Sequence, residues 1–101
     1  MGDSDLHGGL IRLHILYHAS REAVFGLGII EELSHHGYRL SPGTLYPMLH
    51  ALEMKGYLRS SQMRVNSRMR RVYHITRRGR AALGAAKIKV QELFGELFEA
   101  R

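Results

Sequence analysis

Seven arginines lie between residues 64 and 80, and no acidic residue there offsets them. From Met54 to Gln91 there is no Asp or Glu, although eleven of the fifteen Lys and Arg of the chain lie in that stretch. A run of like charge can be no more than a solvated basic face. An acid-free stretch of this length is nevertheless typical of a surface that neutralises the phosphates of nucleic acid, and we favour that interpretation.

The candidate contacts to such an anion fall into two groups. Small or hydrogen-bonding residues near the middle of the chain form the first group: Gly43, Thr44, Tyr46 and His50. Arginines form the second: Arg64, Arg68, Arg70, Arg71, Arg77 and Arg78. Tyr46 could instead be a partly buried aromatic residue, but a hydroxyl that donates to phosphate is the favoured interpretation. His50 can donate either to a phosphate or to a base edge.

Histidines are the other residues that could do chemistry. His14 and His18 are spaced i, i+4 and could present two imidazoles to one metal ion, and His35 and His36 add two more. Without Cys or a third ligand at fixed spacing, ordinary packing or an interface hydrogen bond is favoured, and we predict no metal site. No nucleophile, base and orienting acid can be assembled from these spacings, and no glycine-rich phosphate loop is present. We therefore predict neither an enzyme nor a cofactor.

Composition sets the broad class of protein. The 101 residues suffice for one domain with a modest core, which an oligomer would help to stabilise. The net charge of +6 points to nucleic acid or another anionic surface. The absence of Cys excludes disulfides and thiolate catalysis. No apolar run is long enough to span a membrane, and the segment 1–5 is acidic where a signal peptide is basic, so we predict a cytoplasmic protein with no membrane partner.

A helix and a hairpin are predicted to position the candidate contacts. Ser41 can cap a helix that begins at Pro42 and runs to about residue 55, where Gly56 ends it. The side of this helix that faces a core is predicted to carry Leu45, Met48, Leu49 and Leu52. Strand-like runs over 57–63 and 70–75 predict a basic wing over about 57–75, with a tip at 64–69 that contains the turn formers Asn66 and Ser67.

Three further helices are predicted around this unit. The first runs from Leu6 to Ala19 and is apolar on more than one face, and the second runs from Val24 to His36. The last helix begins after Thr76 and continues to about Ala100, which is longer than one small core needs. Its apolar residues follow a heptad spacing, which implies a partner helix. The predicted dimer interface comprises Leu10, Leu13, Tyr17, Leu83, Val90, Leu93, Phe94, Leu97 and Phe98.

The predicted fold is mainly α with a small β-hairpin. It consists of a winged helix-turn-helix DNA-binding domain over 1–75 and a C-terminal dimerisation helix over 76–101. Phe94 and Phe98 could instead line a ligand pocket at the dimer centre, although aromatic residues at helical spacing are more often core or interface.

Nearly the whole chain resembles the PadR family of winged helix-turn-helix transcriptional regulators, in the short form with one C-terminal helix. The similarity is carried by the segments 25–33, 40–56 and 70–79, of which the second, beginning Leu40-Ser41-Pro42-Gly43-Thr44, is highly specific. The resemblance implies a dimer joined through the first and last helices, with two recognition helices in successive major grooves and the wings on the flanking backbone. It also implies that Tyr46, Thr44 and Gly43 contact DNA, and that the protein acts as a repressor.

These observations together predict a sequence-specific regulator that binds double-stranded DNA, as a homodimer on a pseudo-palindromic operator. A small-molecule effector, if one exists, is expected between the first and last helices of the two subunits. The outward face of the recognition helix has no Arg, Asn or Gln, so shape readout and the wing are predicted to contribute most to sequence choice. A protein-interaction module that docks a partner through the last helix is the alternative, but it leaves the acid-free basic half unexplained.

Overall fold

The computed structural model describes the backbone of residues 3–99 and the side chains of residues 6–99. The elements in chain order are α1 (Asp3–Arg21), α2 (Gly26–Ser34), α3 (Pro42–Met54), β1 (Leu58–Val65), β2 (Arg68–Ile75) and α4 (Arg77–Phe98). The prediction of a mainly helical fold with a small hairpin is confirmed. Residues 1–2 of the acidic segment 1–5 and the predicted helix end at Ala100 lie outside the described residues. Within the described part, no helix has both the length and the apolar character needed to cross a bilayer.

Helix α3 forms where the sequence predicted it. The Ser41 side chain accepts a hydrogen bond from the Thr44 N–H at 3.2 Å, and Pro42 occupies the first turn, where its missing N–H costs nothing. The helix ends at Gly56, whose φ of 82° lies in the left-handed region. The Tyr57 N–H then bonds the Leu52 carbonyl at 3.0 Å, which closes a Schellman motif. Helical structure continues through Pro47.

Helix α2 is shorter than predicted at both ends. The expected start at Val24 is wrong, because Val24 is extended and pairs with Tyr73 of β2 through backbone bonds of 3.0 and 2.7 Å. The helix therefore begins at Gly26. At the other end it stops at Ser34, and the chain turns through Gly37, with φ of 89°, instead of remaining helical to His36.

The wing is a longer hairpin with a tighter turn than predicted. Its strands pair antiparallel from Leu58 opposite Ile75 to Val65 opposite Arg68. The predicted six-residue tip over 64–69 is wrong, because only Asn66 and Ser67 lie outside the strands, and both have positive φ. Two such residues make a type I′ turn, whose twist matches that of the strands and lets pairing continue to the end of the hairpin.

The core lies where α1, α2, α3 and the base of the wing meet. Helix α1 contributes one face to it, while its other apolar face, with Leu10 and Tyr17, stays exposed. The buried apolar residues are Ile11, Ile15, Leu16, Ala19, Ile29, Leu33, Leu45, Leu49, Leu52, Leu58, Val72 and Tyr73. The predicted inward stripe of α3 is thus confirmed for its three leucines, while Met48 is half-buried.

Helix α4 is fixed to the rest of the molecule at its start. The Thr76 side chain accepts from the Gly79 N–H at 2.9 Å and donates to the Gly56 carbonyl. Gly79 is buried so tightly that a Cβ there would lie 2.2 Å from the Tyr57 carbonyl oxygen. The first turn of α4 therefore packs directly on the junction between α3 and the wing. From Lys87 to Phe94 every residue of α4 is exposed.

Candidate nucleic-acid interface

The outward face of α3 is exposed along its length. Its residues are Gly43, Thr44, Tyr46, Pro47, His50 and Ala51, and each of them is exposed. The predicted contact residues Gly43, Thr44, Tyr46 and His50 therefore lie on one accessible face. Most side chains on this face are small and few are charged, so the helix backbone can approach closely to whatever binds there.

Tyr46 reaches from α3 to the start of α2. A Cβ on Gly26 would lie 2.2 Å from the Tyr46 hydroxyl oxygen and 2.7 Å or less from two ring carbons, so the ring covers the site where Gly26 has no side chain. The residue is still 40% exposed. The ring thus packs against α2 while a large part of the side chain stays accessible, and a phosphate contact by the hydroxyl stays a prediction.

The first turn of α2 carries free backbone donors next to that hydroxyl. Phe25 is the N-cap residue, and its side chain makes no capping hydrogen bond. The first N–H groups of a helix have no partner within the helix, and the helix dipole places a partial positive charge there. Sequence reasoning missed this feature, because it placed the helix start two residues too early.

Arg70 of the wing is held beside the same turn. Its guanidinium carbon lies 5.0 Å from the centroid of the Phe25 ring, a cation–π distance. The Phe25 ring in turn contacts the site where Gly28 has no side chain, at 3.4 Å. We name Phe25, Gly26, Tyr46 and Arg70 the anchor cluster, because the Tyr46 hydroxyl and the Arg70 guanidinium each lie against a residue at the start of α2.

The remaining wing arginines lie on both faces of the hairpin. Side chains alternate along a strand and cross-strand partners share a face, so the register places Arg64 and Arg71 on the face of Tyr73. Arg68 and Arg70 lie on the opposite face with Val72. The six-residue tip expected from the sequence would have placed Arg64 and Arg68 outside the strands, whereas the observed strands give both a defined side.

A carboxylate joins the end of α3 to the wing. One oxygen of Glu53 accepts from both the backbone N–H and the hydroxyl of Ser60, at 3.1 and 2.8 Å. Arg71 donates to the same hydroxyl at 3.2 Å. Arg71 also lowers the pKa of Tyr73, but burial has the larger effect and raises that pKa above its usual value. Residue type and spacing carry no signal for the contact between Glu53 and Ser60.

The arginines at the start of α4 do not form a single group. Arg77 and Arg78 are exposed, and the Arg78 side chain lies along Gly56, with its Cδ 3.4 Å from where a Cβ would be. Arg80 points elsewhere and donates to the Ser20 carbonyl at 3.3 Å. Among residues 6–98, the carboxylate contacts within ion-pair range both involve histidines, and neither involves an arginine of the wing or of the start of α4.

The predicted interface residues of α1 and α4 lie along a shared groove of about 960 Å³. Six of the nine line it: Leu10, Leu13, Tyr17, Leu83, Val90 and Phe94. The other three, Leu93, Leu97 and Phe98, do not line the groove but are exposed on α4. The Phe98 ring is tilted against Phe94, with the ring centroids 4.9 Å apart. The structure therefore brings six of the nine predicted interface residues to one groove and leaves the other three on the exposed part of α4.

Comparison with known proteins gives consistent matches. The profile of the Transcriptional regulator PadR-like family matches residues 15–85. A transcriptional regulator of Mycobacterium tuberculosis is 53% identical over 87 residues, which covers 86% of this chain and 81% of that protein. A PadR family transcriptional regulator from Eggerthella lenta has a TM-score of 0.79 at 28% identity and covers 96% of this chain and 88% of its own. A PadR-like transcriptional regulator from Bacillus cereus has a TM-score of 0.74 at 27% identity, with 90% and 97% covered.

Proposed function

This chain belongs to the PadR-like family of transcriptional regulators, and we propose that it is a homodimeric repressor that binds a pseudo-palindromic DNA duplex. The observation that carries the proposal is the anchor cluster within a basic surface whose arginines make no ion pair with a carboxylate among residues 6–98. Family membership accounts for transcriptional regulation. Direct DNA contact, the dimer and repression are the parts that we add.

The anchor cluster supports a phosphate contact at the start of α2. Free N–H groups and the dipole of a helix start favour a phosphate oxygen. The Tyr46 hydroxyl lies at Gly26, and Arg70 is held near the same turn by Phe25. One phosphate placed there would accept hydrogen bonds from backbone, hydroxyl and guanidinium donors, so it would set the depth and angle of α3 in the major groove.

Helix α3 and the wing would then divide the remaining contacts. The exposed side of α3 offers Thr44 and His50 but no Arg, Asn or Gln, so it can make few of the bidentate bonds that read base edges. The wing has arginines on both faces. The arginines on the face closest to the duplex can enter a minor groove or contact backbone phosphates. We propose that sequence choice depends more on DNA shape than on base contacts from α3.

A second copy of this chain is the proposed occupant of the groove between α1 and α4. Large apolar side chains of α4 are exposed along the groove and beyond it, including Val90 at 45% and Phe94 at 52%. A contiguous apolar surface of this kind is typical of an interface. Helix α4 has 22 residues, or about 33 Å, enough for a helix–helix seam that holds two recognition helices one DNA turn apart. A small-molecule effector would bind in what remains of the groove and alter that separation.

Selection of bound duplexes from a random pool tests the proposal. We expect an enriched site with two half-sites about 10 bp apart, or a multiple of that distance. On the selected duplex, Arg70→Ala should weaken binding about tenfold through loss of a charge-assisted contact. Arg12→Ala is the matched control, since Arg12 is exposed on α1 with its guanidinium beside Gly8 of the same helix, and the affinity of this variant should change less than about twofold. No enrichment at low salt, or equal losses in the two variants, would contradict the proposal.

A further inference from the structure

Three histidines meet at one end of the groove, outside the basic surface. His14 and His18 lie one turn apart on α1, and His36 lies in the turn that follows α2. One ring nitrogen of each lies within 4.8 Å of the others. The sequence displayed the spaced pair, but only the packing of α2 on α1 brings in the third imidazole. The argument from the sequence against a metal site, the lack of a third ligand, therefore no longer holds.

Glu32 of α2 faces the same cluster. Its Oε2 lies 3.5 Å from the His36 Nε2 and 3.8 Å from the His18 Nε2. The His18 Nε2 is buried and has no hydrogen-bond partner among the described residues. A buried polar atom without a partner destabilises the folded chain, so its presence calls for an explanation.

Ring packing explains only part of this arrangement. His14 stacks on His36 at 4.6 Å, and the edge of Tyr38 contacts His14 at 5.5 Å. Those contacts account for the position of the His14 and His36 rings. They leave the buried Nε2 of His18 without a partner, and they give no reason for a carboxylate to face two imidazoles.

The electrostatics of His14 agree with a role as a ligand. Burial lowers the pKa of His14, and the charges of His36 and His18 lower it further, while Glu32 opposes the shift. A neutral imidazole is the form that binds a metal ion.

We propose that His14, His18 and His36, with Glu32 as the fourth ligand, form a binding site for a divalent transition metal ion of the Zn²⁺ type. Three histidines and a carboxylate are a donor set that Zn²⁺ accepts, at about 2.0–2.2 Å in tetrahedral geometry. Tetrahedral ligands at that distance are roughly 3.4 Å apart, so the nitrogens must close from up to 4.8 Å. His36 can supply this movement, because its side chain is 44% exposed and the flexible Gly37 follows it.

The bound ion would join two segments that are separate along the chain. It would tie α1, which lines the groove, to the turn that leads from α2 into α3. Metal binding should therefore raise the thermal stability of the protein, since the ion binds the folded chain and not the unfolded one.

Calorimetric titration of the full-length protein with Zn²⁺ tests this site. We expect one ion per chain, with Co²⁺ at the same site giving the visible absorption of a tetrahedral complex. His36→Gln should weaken binding at least about 100-fold, because loss of an outer-shell partner alone costs 10–100-fold. His35→Gln is the matched control, since His35 is the exposed neighbour and is not in the cluster, so its affinity should be unchanged.

A measurement on the unaltered protein guards against a variant that fails to fold. Long-range proton–nitrogen NMR spectra should show that Zn²⁺ shifts the imidazole nitrogens of His14, His18 and His36, and leaves those of His35 and His50 in place. The site is disproved if Zn²⁺ at about 100 µM does not bind, if His35→Gln loses as much affinity as His36→Gln, or if the shifted imidazoles are other ones. None of these measurements uses DNA, so they stand apart from the proposed regulator function.

Discussion

The surface formed by α3 and the wing and the groove between α1 and α4 expose different kinds of atoms. The first carries guanidinium groups that make no ion pair with a carboxylate among residues 6–98, around a small, hydrogen-bonding helix face. The second exposes aliphatic and aromatic side chains such as Leu10, Val90 and Phe94. Attraction between charges is screened by salt, whereas burial of apolar surface is not. Binding at the two surfaces should therefore respond differently to a change in salt. Each surface can also be disturbed without the other.

Salt should separate the two surfaces by the largest margin. If six to ten phosphates are neutralised, duplex affinity should fall about 10³- to 10⁵-fold between 50 and 200 mM salt. Dimer affinity should change less than about threefold over the same range, because the groove is apolar. Fluorescence anisotropy on labelled duplex and analytical ultracentrifugation of the free protein measure the two quantities. Duplex binding that does not weaken as salt rises would contradict the expected difference between the basic surface and the apolar groove.

A charge placed in the groove should disturb the apolar surface and leave the basic surface unchanged. Phe94→Asp puts a carboxylate where an aromatic ring lines the groove, and should weaken the dimer about 10²- to 10³-fold through lost burial and a buried charge. Ile88→Asp is the control, since Ile88 is 68% exposed on the same helix but does not line the groove. Sedimentation of each variant at several concentrations gives the dimer dissociation constant. Equal effects of the two variants would show that the groove is not the interface.

The sequence predicted best those features that depend on neighbours in the chain. Ser41 and Thr76 are caps, Gly37 and Gly56 are left-handed ends, and each works within about four residues of its own position. Local hydrogen bonding and the steric freedom of glycine decide such features, so residue type and spacing are sufficient.

The errors in prediction occurred where a distant segment decides the outcome. Val24 has a helix-compatible pattern, but its backbone N–H and carbonyl both form hydrogen bonds with Tyr73 of β2, and so α2 begins later. Asn66 and Ser67 were seen as turn formers, yet the length of strand pairing around them depends on the whole hairpin. His36 joins His14 and His18 only through packing between α1 and α2. The division into two domains and the DNA-contacting and dimer-contacting roles stay predictions.

A substitution at Gly26 should have the smallest effect of the three, and it tests the anchor cluster without removing any charge. In Gly26→Ala the new Cβ would overlap the Tyr46 hydroxyl, so the ring must swing away from the start of α2. Loss of one positioned donor, at about 1–1.5 kcal/mol, should lower duplex affinity about tenfold.

Gly28→Ala is the control two residues along the same helix. Its Cβ would meet the Phe25 ring at an ordinary 3.4 Å, and alanine raises helix propensity by about 1 kcal/mol. We therefore expect Gly28→Ala to keep its duplex affinity and gain thermal stability. If Gly26→Ala binds duplex as tightly as Gly28→Ala does, Tyr46 is a packing residue and the phosphate contact lies elsewhere on the basic surface.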